Sequence, residues 1–491
     1  MKRKICLLLA LVMLLSTFVL LTSCDTSNDD PAATTVTTLP DDSGGNGDPN
    51  LYEDVPTGSY EGYVFSFLNN GTGMSALVPE ETTETVDAAM FARNSFVKEK
   101  LGIDIAETQK GYAAVRSTMA SLTSSNDFEY DATFNEVYLQ TPLAQMGTYI
   151  ATEDYTDSIN FDKPWWFKDT MDSFAIDGKG YELLGDLHLS CYEMIWGMTF
   201  NQQEFIDNKI AFPYDLVRSG NWTFAELEKI LKVTANKPGE EHYGVVSHKD
   251  FISAIIAACD FTLVNQDDDE ILLPFENEDR FVDVYSMLTT LFFQSNGNNK
   301  TNWIIADYSS MAYTSGAFKS DETFQEKFIN KKATFMSGVI YDIRQVRRSE
   351  FEYGIIPLPK FDTDQDLYVS NVYRAASACG IPATSPDLDR TCIILENLSA
   401  YSYKLLKHEY YEVVVQGRTV RDNDSIEMLE IIFGHTDLGV TRFEIDGVYT
   451  LGISEEVRRS MSDNVTEIMN NVDGVMNAVS NEIEKIVEAY K

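Results

Sequence analysis

The sequence predicts a mixed α/β body divided into two lobes, on three observations. Short β-branched and aromatic runs alternate with amphipathic stretches through most of the 491 residues, the signature of an α/β domain with largely parallel strand pairing. The folded part, about 430 residues from Tyr60 onward, exceeds what one hydrophobic core normally supports. Cap and turn residues stand at the joints of the pattern, and no internal repeat is visible.

In chain order, Tyr63 to Leu68 is a strand ended by Asn69-Asn70-Gly71. A helix over about Thr85 to Lys100 stops with Gly102 as its C′ residue. Ile103 to Ile105 is a second strand. Tyr130 to Phe134 is a third, and it empties into Asn135-Glu136-Val137-Tyr138. Gly180 to Leu184 and Glu193 to Phe200 are further strand candidates. Thr223 with Glu226 has the spacing of a capping box, so a helix runs from there to about Val233, with Trp222 as its staple. Arg280 to Gln294 is an apolar, helically periodic stretch. Ser385-Pro386 opens a helix reaching about Lys407, with proline at its first position. Asp424 with Glu427 caps a helix that ends before Gly434, and Ser454 to Lys491 is helical by composition.

The N-terminus reads as an export signal. Lys2, Arg3 and Lys4 precede an unbroken apolar run from Ile5 to Leu21. Leu21-Thr22-Ser23-Cys24 resembles the bacterial lipobox, which implies cleavage before Cys24 and a diacylglycerol on its sulfur. Two acyl chains are what stable anchoring requires. Asp25 to Pro49 has no aromatic residue and is rich in Asp, Ser, Thr, Gly and Pro, so it buries too little apolar surface to offset its ordering entropy. It is expected to be a flexible tether.

The formal net charge is −39, and loss of the three leader cations makes it about −42. Such a field repels phosphate backbones and excludes nucleic acid as a partner. Beyond Cys6 and Cys24, the cysteines are Cys191, Cys259, Cys379 and Cys392, with no C-x-x-C and no zinc-type Cys/His spacing. No metal or cofactor is expected. Buried free thiols are the preferred state, and a Cys379–Cys392 disulfide is the alternative that export permits.

Several passages then accumulate into a pattern. They are Asp177-Gly-Lys-Gly-Tyr181 followed by Trp196-Gly-Met-Thr-Phe-Asn201, then Asn221-Trp-Thr-Phe-Ala-Glu-Leu227, then Lys331-Lys-Ala-Thr-Phe-Met-Ser-Gly338. Tyr353-Gly-Ile-Ile-Pro-Leu-Pro359 and Ala378-Cys-Gly-Ile-Pro-Ala383 complete the set. In this order, over roughly residues 60 to 410, the chain resembles the family 1 extracellular solute-binding proteins of bacterial ABC importers, the maltose-binding-protein-like group. It departs from them at Gln202-Gln203, where members often continue with lysine, and between Asp260 and Arg280, which has no counterpart.

The resemblance implies a periplasmic-binding-protein-like type II fold, two α/β lobes joined by crossovers and closing on a ligand in the cleft. The implied organisation is a signal peptide at 1–23, a tether at 24–58, lobe 1 at 59–190, lobe 2 at 191–370, a lobe 1 return at 371–415, and C-terminal helices at 416–491 mainly on lobe 2. The expected function is that of a lipid-anchored receptor on the extracytoplasmic face of the cell membrane, monomeric, binding a small molecule, expected to be a carbohydrate, and handing it to ABC permease subunits. It is not expected to be an enzyme.

A sugar site needs aromatic platforms and polar groups around a rim, and in open α/β sheets ligands lie beyond the carboxyl ends of strands. That rule selects Asn135, Glu136 and Tyr138 after the third strand. Glu193 and Trp196 lie near the first crossover, where Trp196 would stack on a ligand or else belong to the core. Tyr341 and Asp342 follow Gly338, where the family frequently places a stacking aromatic. Tyr373 and Arg374 precede the return crossover, with Arg374 a clamp for hydroxyls or a surface ion pair. Trp165-Trp166 forms either a cleft rim or a packed loop. The rival functions are a secreted glycan hydrolase, for which Glu153, Asp154, Asp157 and Asp260 offer carboxylates, and a glycan-capture lipoprotein working without a transporter.

Overall fold

Two separate sheets, each with its own aromatic and aliphatic core, organise the chain from Ser43 onward, which forms one compact unit. The structure is a computed structural model that describes residues 51–71, 76–82, 85–175, 179–235, 237, 241–248, 250–266, 272–274, 278–293, 304–307, 322–443 and 468–490. The leader, the lipobox at Cys24, the tether up to Asn50, Trp303 and residues 454–467 lie outside the described residues.

The first sheet begins with β1 (Tyr63–Asn69), followed by helix α1 (Thr85–Leu101) and β2 (Ile103–Gln109), which pairs parallel to β1. Gly102, at φ +69°, turns the chain between them, and its N–H donates to Lys98 O at 2.9 Å. Helix α2 (Tyr112–Ser125) returns the chain to β3 (Ala132–Glu136), which pairs with the other side of β1, and α3 (Val137–Gln145) follows at once. The order is therefore reversed at β1, the arrangement that opens a crevice beyond the strand ends. Phe65, Phe67 and Phe134 pack ring to ring across this sheet, beside a cluster of Leu68, Val115, Met119, Leu143 and Tyr149.

The chain then crosses to the second sheet. Gly180 to Leu184 is not a strand of either sheet: it contributes one isolated bridge, Leu183 to Cys379. The strand expected from Glu193 begins only at Trp196, because Ser190–Glu193 turns as a short helix first. The second half opens with β4 (Trp196–Asn201), helix α4 (Phe224–Thr234), β5 (Tyr243–His248), helix α5 (Phe251–Ala258), β6 (Val264–Gln266) and β7 (Leu272–Pro274), which pair antiparallel as a small sheet of their own, and helix α6 (Glu278–Phe293). It continues with β8 (Ile304–Asp307), β9 (Ala333–Val339), helix α7 (Ile340–Gln345) and β10 (Tyr353–Ile356). The strand order is β10-β4-β9-β5-β8, with β5 parallel to both β8 and β9. The order of succession again reverses at β5. The Thr223 hydroxyl accepts from Glu226 N at 3.3 Å, capping α4 as its spacing predicts, while Trp222 is buried and donates to Pro357 O at 3.0 Å.

Three passages join the halves. The first runs through Ser190–Glu193. The second follows β11 (Tyr368–Val372) and leads into β12 (Ser377–Gly380), which pairs antiparallel with β3. The two are tied together, with Tyr373 N donating to Met194 O at 2.8 Å and Ser377 N to Ser190 Oγ at 2.8 Å. Helix α8 (Leu388–His408) then packs on α1, with Lys100 Nζ 2.7 Å from Asn397 Oδ1. It starts two residues after Pro386, because Asp387 is the cap and accepts from Arg390 N at 3.1 Å.

The third passage is Glu409–Gln416, an eight-residue π-helix. It leads to α9 (Asn423–Ile432), which packs on β10. Asp422 caps α9 rather than Asp424, accepting from Ser425 N at 2.7 Å; Asp424 and Glu427 instead hold Arg218. β13 (Gly439–Phe443) pairs parallel with β11, and α10 (Ile468–Tyr490) packs against α6 and β7.

The start of the described chain is strapped to α8. The Tyr52 ring stacks on Trp165 at 5.9 Å and on Tyr401 at 6.1 Å, Lys404 Nζ lies 5.0 Å from it, and Asn397 Nδ2 donates to Pro56 O at 2.9 Å. Trp165 and Trp166 are a packed loop, not a rim. Both are buried, and their indole N–H groups donate to the two oxygens of Glu396, at 3.1 and 2.7 Å. Burial raises the Glu396 carboxyl to about 7. Cys191, Cys259, Cys379 and Cys392 are free and buried, so Cys379 and Cys392 form no disulfide.

Candidate functional site

The carboxyl ends of the parallel strands in both sheets, together with the second passage, assemble one polar and aromatic constellation. From the first sheet, β3 delivers Asn135 and Glu136, α3 opens with Tyr138 in its first turn, and α2 opens with Tyr112 after β2. From the second sheet, β5 ends in His248, with Asp250 two residues on. Tyr373 and Arg374 come from the passage between them.

Arg374 is the piece that touches both sides. Its Nη2 lies 3.3 Å from Asp250 Oδ2 of the second half, and its guanidinium carbon lies 5.8 Å from the Tyr138 ring of the first. The Tyr373 ring is 5.2 Å away, within the range of cation–π attraction. Tyr373 donates its hydroxyl to Asp250 Oδ2 as well. Asp250 N–H donates to His248 Nδ1 at 3.3 Å, which makes that ring nitrogen the acceptor, and the His248 ring stands 6.0 Å from Tyr373. Asp250 therefore organises three neighbours at once.

On the first half, burial, then the charge and hydrogen bond of Glu136, push the Tyr138 hydroxyl well above the ordinary phenol range. Tyr138 stays a protonated donor at any physiological pH. Tyr112 is 50% exposed, an aromatic face open beside these groups. Trp196 is buried, stacked on Phe251 at 6.0 Å and edge-on to Tyr373 at 6.1 Å, so it is the floor beneath Tyr373.

The remaining residues selected from sequence support the constellation or stand elsewhere. Asn135 is fully buried; its Nδ2 donates to Tyr112 O at 3.3 Å and its Oδ1 accepts from Glu136 N at 3.0 Å, so it braces the loop. Glu193 is buried in the first passage and pairs with Arg344 of α7 at 2.8 Å. Asp342 caps α7, accepting from Val339 N at 3.2 Å and Gln325 Nε2 at 2.8 Å, and burial raises its carboxyl to about 6. Tyr341 is 40% exposed at the end of β9. The carboxylates suited to a hydrolase are dispersed: Glu153 accepts from Gly180 N in the first half, and Asp260 pairs with Arg442 in the second.

Tyr112, His248 and Asp250 were not singled out from sequence. The signal was there in part. Tyr243-Gly-Val-Val-Ser-His248 is a β-branched run, and recognising it as a strand would have brought the carboxyl-end rule to bear on His248 and Asp250. The second strand runs to Gln109 rather than stopping at Ile105, which moves its carboxyl end to Tyr112.

No family model and no curated protein matches the sequence. Solved structures do match. The GacH receptor of Streptomyces glaucescens, determined unliganded and with acarbose, superposes with a TM-score of 0.54 at 14% identity, covering 88% of this chain and 100% of that one. The ABC substrate-binding protein Lmo0181 of Listeria monocytogenes, in complex with cycloalternan, gives 0.53 at 13% identity over 87% and 98%. This is the fold of the ABC solute-binding proteins. UgpB of Mycobacterium tuberculosis, in complex with glycerophosphocholine, gives 0.56 at 11% identity over 88% and 100%. The solute-binding fold accounts for the two sheets reversing at β1 and β5 and for the passages that link them. The Tyr138–Arg374–Asp250 constellation draws its groups from both halves.

Proposed function

We propose that the chain is a carbohydrate receptor: a sugar enters between the halves, engages groups from both, and stabilises a closed form. The observation that carries this is Arg374 bridging Asp250 and Tyr138, since a group seated between two lobes is where differential affinity for the closed state can arise. Glu136 and Asp250 accept from sugar hydroxyls, Arg374 and the tyrosine hydroxyls donate to them, and the Tyr112 and Tyr138 rings face C–H surfaces. The solved relatives that bind acarbose and cycloalternan support a sugar as ligand. We further propose that Cys24 carries a lipid that holds the receptor on the outer face of the membrane, and that the closed form is delivered to an ABC permease.

Thermal-shift screening against mono- and oligosaccharides tests the ligand class, because a ligand at 100 times its Kd adds about 2.7 kcal/mol to stability. A melting point unmoved by the whole panel removes the carbohydrate assignment. Replacing Cys24→Ser should move the protein from the membrane fraction to the medium or periplasm; unchanged membrane retention removes the anchor.

A further inference from the structure

We propose that Asp250 is a specificity-determining residue that sets the charge preference of the cleft: by neutralising Arg374 it makes the site select uncharged polyhydroxyl ligands over those bearing a carboxylate or phosphate. This deepens the carbohydrate assignment and rests on it.

An anionic ligand is ordinarily captured by a guanidinium whose fork is open to it. Here the fork has a partner already. Arg374 Nη2 is 3.3 Å from Asp250 Oδ2, and its guanidinium carbon lies over the rings of Tyr138 and Tyr373 at 5.8 and 5.2 Å. The Asp250 carboxylate is itself held by the Tyr373 hydroxyl, and its backbone N–H is fixed on His248 Nδ1, so the carboxylate cannot swing aside without giving up the Tyr373 bond as well as Arg374. Lys110, at the end of β2, points to the Thr118 hydroxyl at 3.1 Å and the Tyr130 ring. Against this stand two carboxylates, Glu136 and Asp250, one from each half and both buried. The chain around them carries a net charge of −39. Neutral hydroxyls suit this set, because each can donate to a carboxylate and accept from the guanidinium. A ligand carboxylate meets Glu136 and a guanidinium already paired with Asp250, and like-charge juxtaposition of this kind discriminates between partners.

The test is calorimetric titration of the full chain and its variants with maltotriose, cellobiose and mannobiose, and with the digalacturonate and dimannuronate disaccharides. The wild type should prefer its best neutral sugar over either uronate by at least tenfold. Asp250→Asn should weaken the neutral sugar at least tenfold and bring uronate affinity up, so that the preference shrinks or inverts, and Asp250→Glu should restore the original order. Arg374→Gln should weaken neutral binding without admitting uronates, and it carries the test if Asp250→Asn does not fold. A preference unchanged in both variants, or a wild type that prefers uronates, overturns the proposal while leaving the carbohydrate assignment standing. Binding of none of the five sugars by the wild type overturns the proposal, and the full thermal-shift panel then decides the carbohydrate assignment.

Discussion

Replacing Glu193 by alanine should cost the protein several degrees of thermal stability, although the residue lies outside the constellation around Arg374. Glu193 is fully buried and sits 2.8 Å from Arg344, whose side chain is 14% exposed. Removing the carboxylate strands a buried guanidinium, which costs about 3–5 kcal/mol. With an unfolding entropy of about 2.1 cal/mol/K per residue, a body of roughly 430 residues has about 0.9 kcal/mol/K, so Tm should drop by roughly 3–6 °C. Differential scanning calorimetry reads this directly. The paired change Glu193→Leu with Arg344→Met should recover most of the loss, since an apolar pair of similar volume has no charge to desolvate. A Glu193→Ala variant melting within about 1 °C of wild type would refute the reasoning. So would a double variant no better than the single one, since the loss would then not come from an unpaired charge.

Three further outcomes follow from the same structure. Glu182 and Glu396 are raised to about 7, and Asp186 and Asp342 to about 6, all chiefly by burial. The folded state thus holds their protons more tightly than the unfolded one, and the stability this gives is complete below about pH 4 and lost as pH rises through 6 to 7. His188, lowered to about 3, acts oppositely, taking stability away as pH falls below about 6.5. Tm should therefore peak on the acid side of neutrality, and a Tm that rises from pH 6 to 8 would contradict the burial of these four carboxyls. Asp422→Ala should lower stability by about 1–2 kcal/mol in urea unfolding, because the cap of α9 and a partner of the Tyr214 hydroxyl go together, whereas Asp424→Ala should change it by under about 0.5 kcal/mol; equal effects would return the cap to Asp424. Tyr112→Ala and Tyr138→Ala should each weaken the best sugar by roughly tenfold in titration calorimetry, about the worth of one aromatic face, with Tm without ligand nearly constant for Tyr112→Ala; unchanged affinity in both would move the ligand elsewhere.

How far the sequence discloses this molecule depends on what each residue has to do. β1 and α1 are plain in their apolar spacing and in the turn at Gly102, because local patterning alone decides them. The first passage is not. Glu193 lies in an apolar-looking run yet ends a short helix, and its partner Arg344 is 151 positions away, a pairing no local pattern encodes. The cap of α9 was misplaced for a related reason: Asp422 and Asp424 are chemically alike, and only the approach of Arg218 from a distant helix sends Asp424 outward. At the site, Tyr138, Tyr373 and Arg374 follow from the carboxyl-end rule and from the family resemblance. Asp250 does not, since its importance comes from three partners that reach it from separate segments.

The strap at Tyr52 has a mechanical corollary. Load applied from the N-terminal side is received by the indole of Trp165, the phenol of Tyr401 and the amide of Asn397. All of these belong to the half built on β1. The groups that meet Tyr52 lie on one side of the passages, and Asp250 lies on the other.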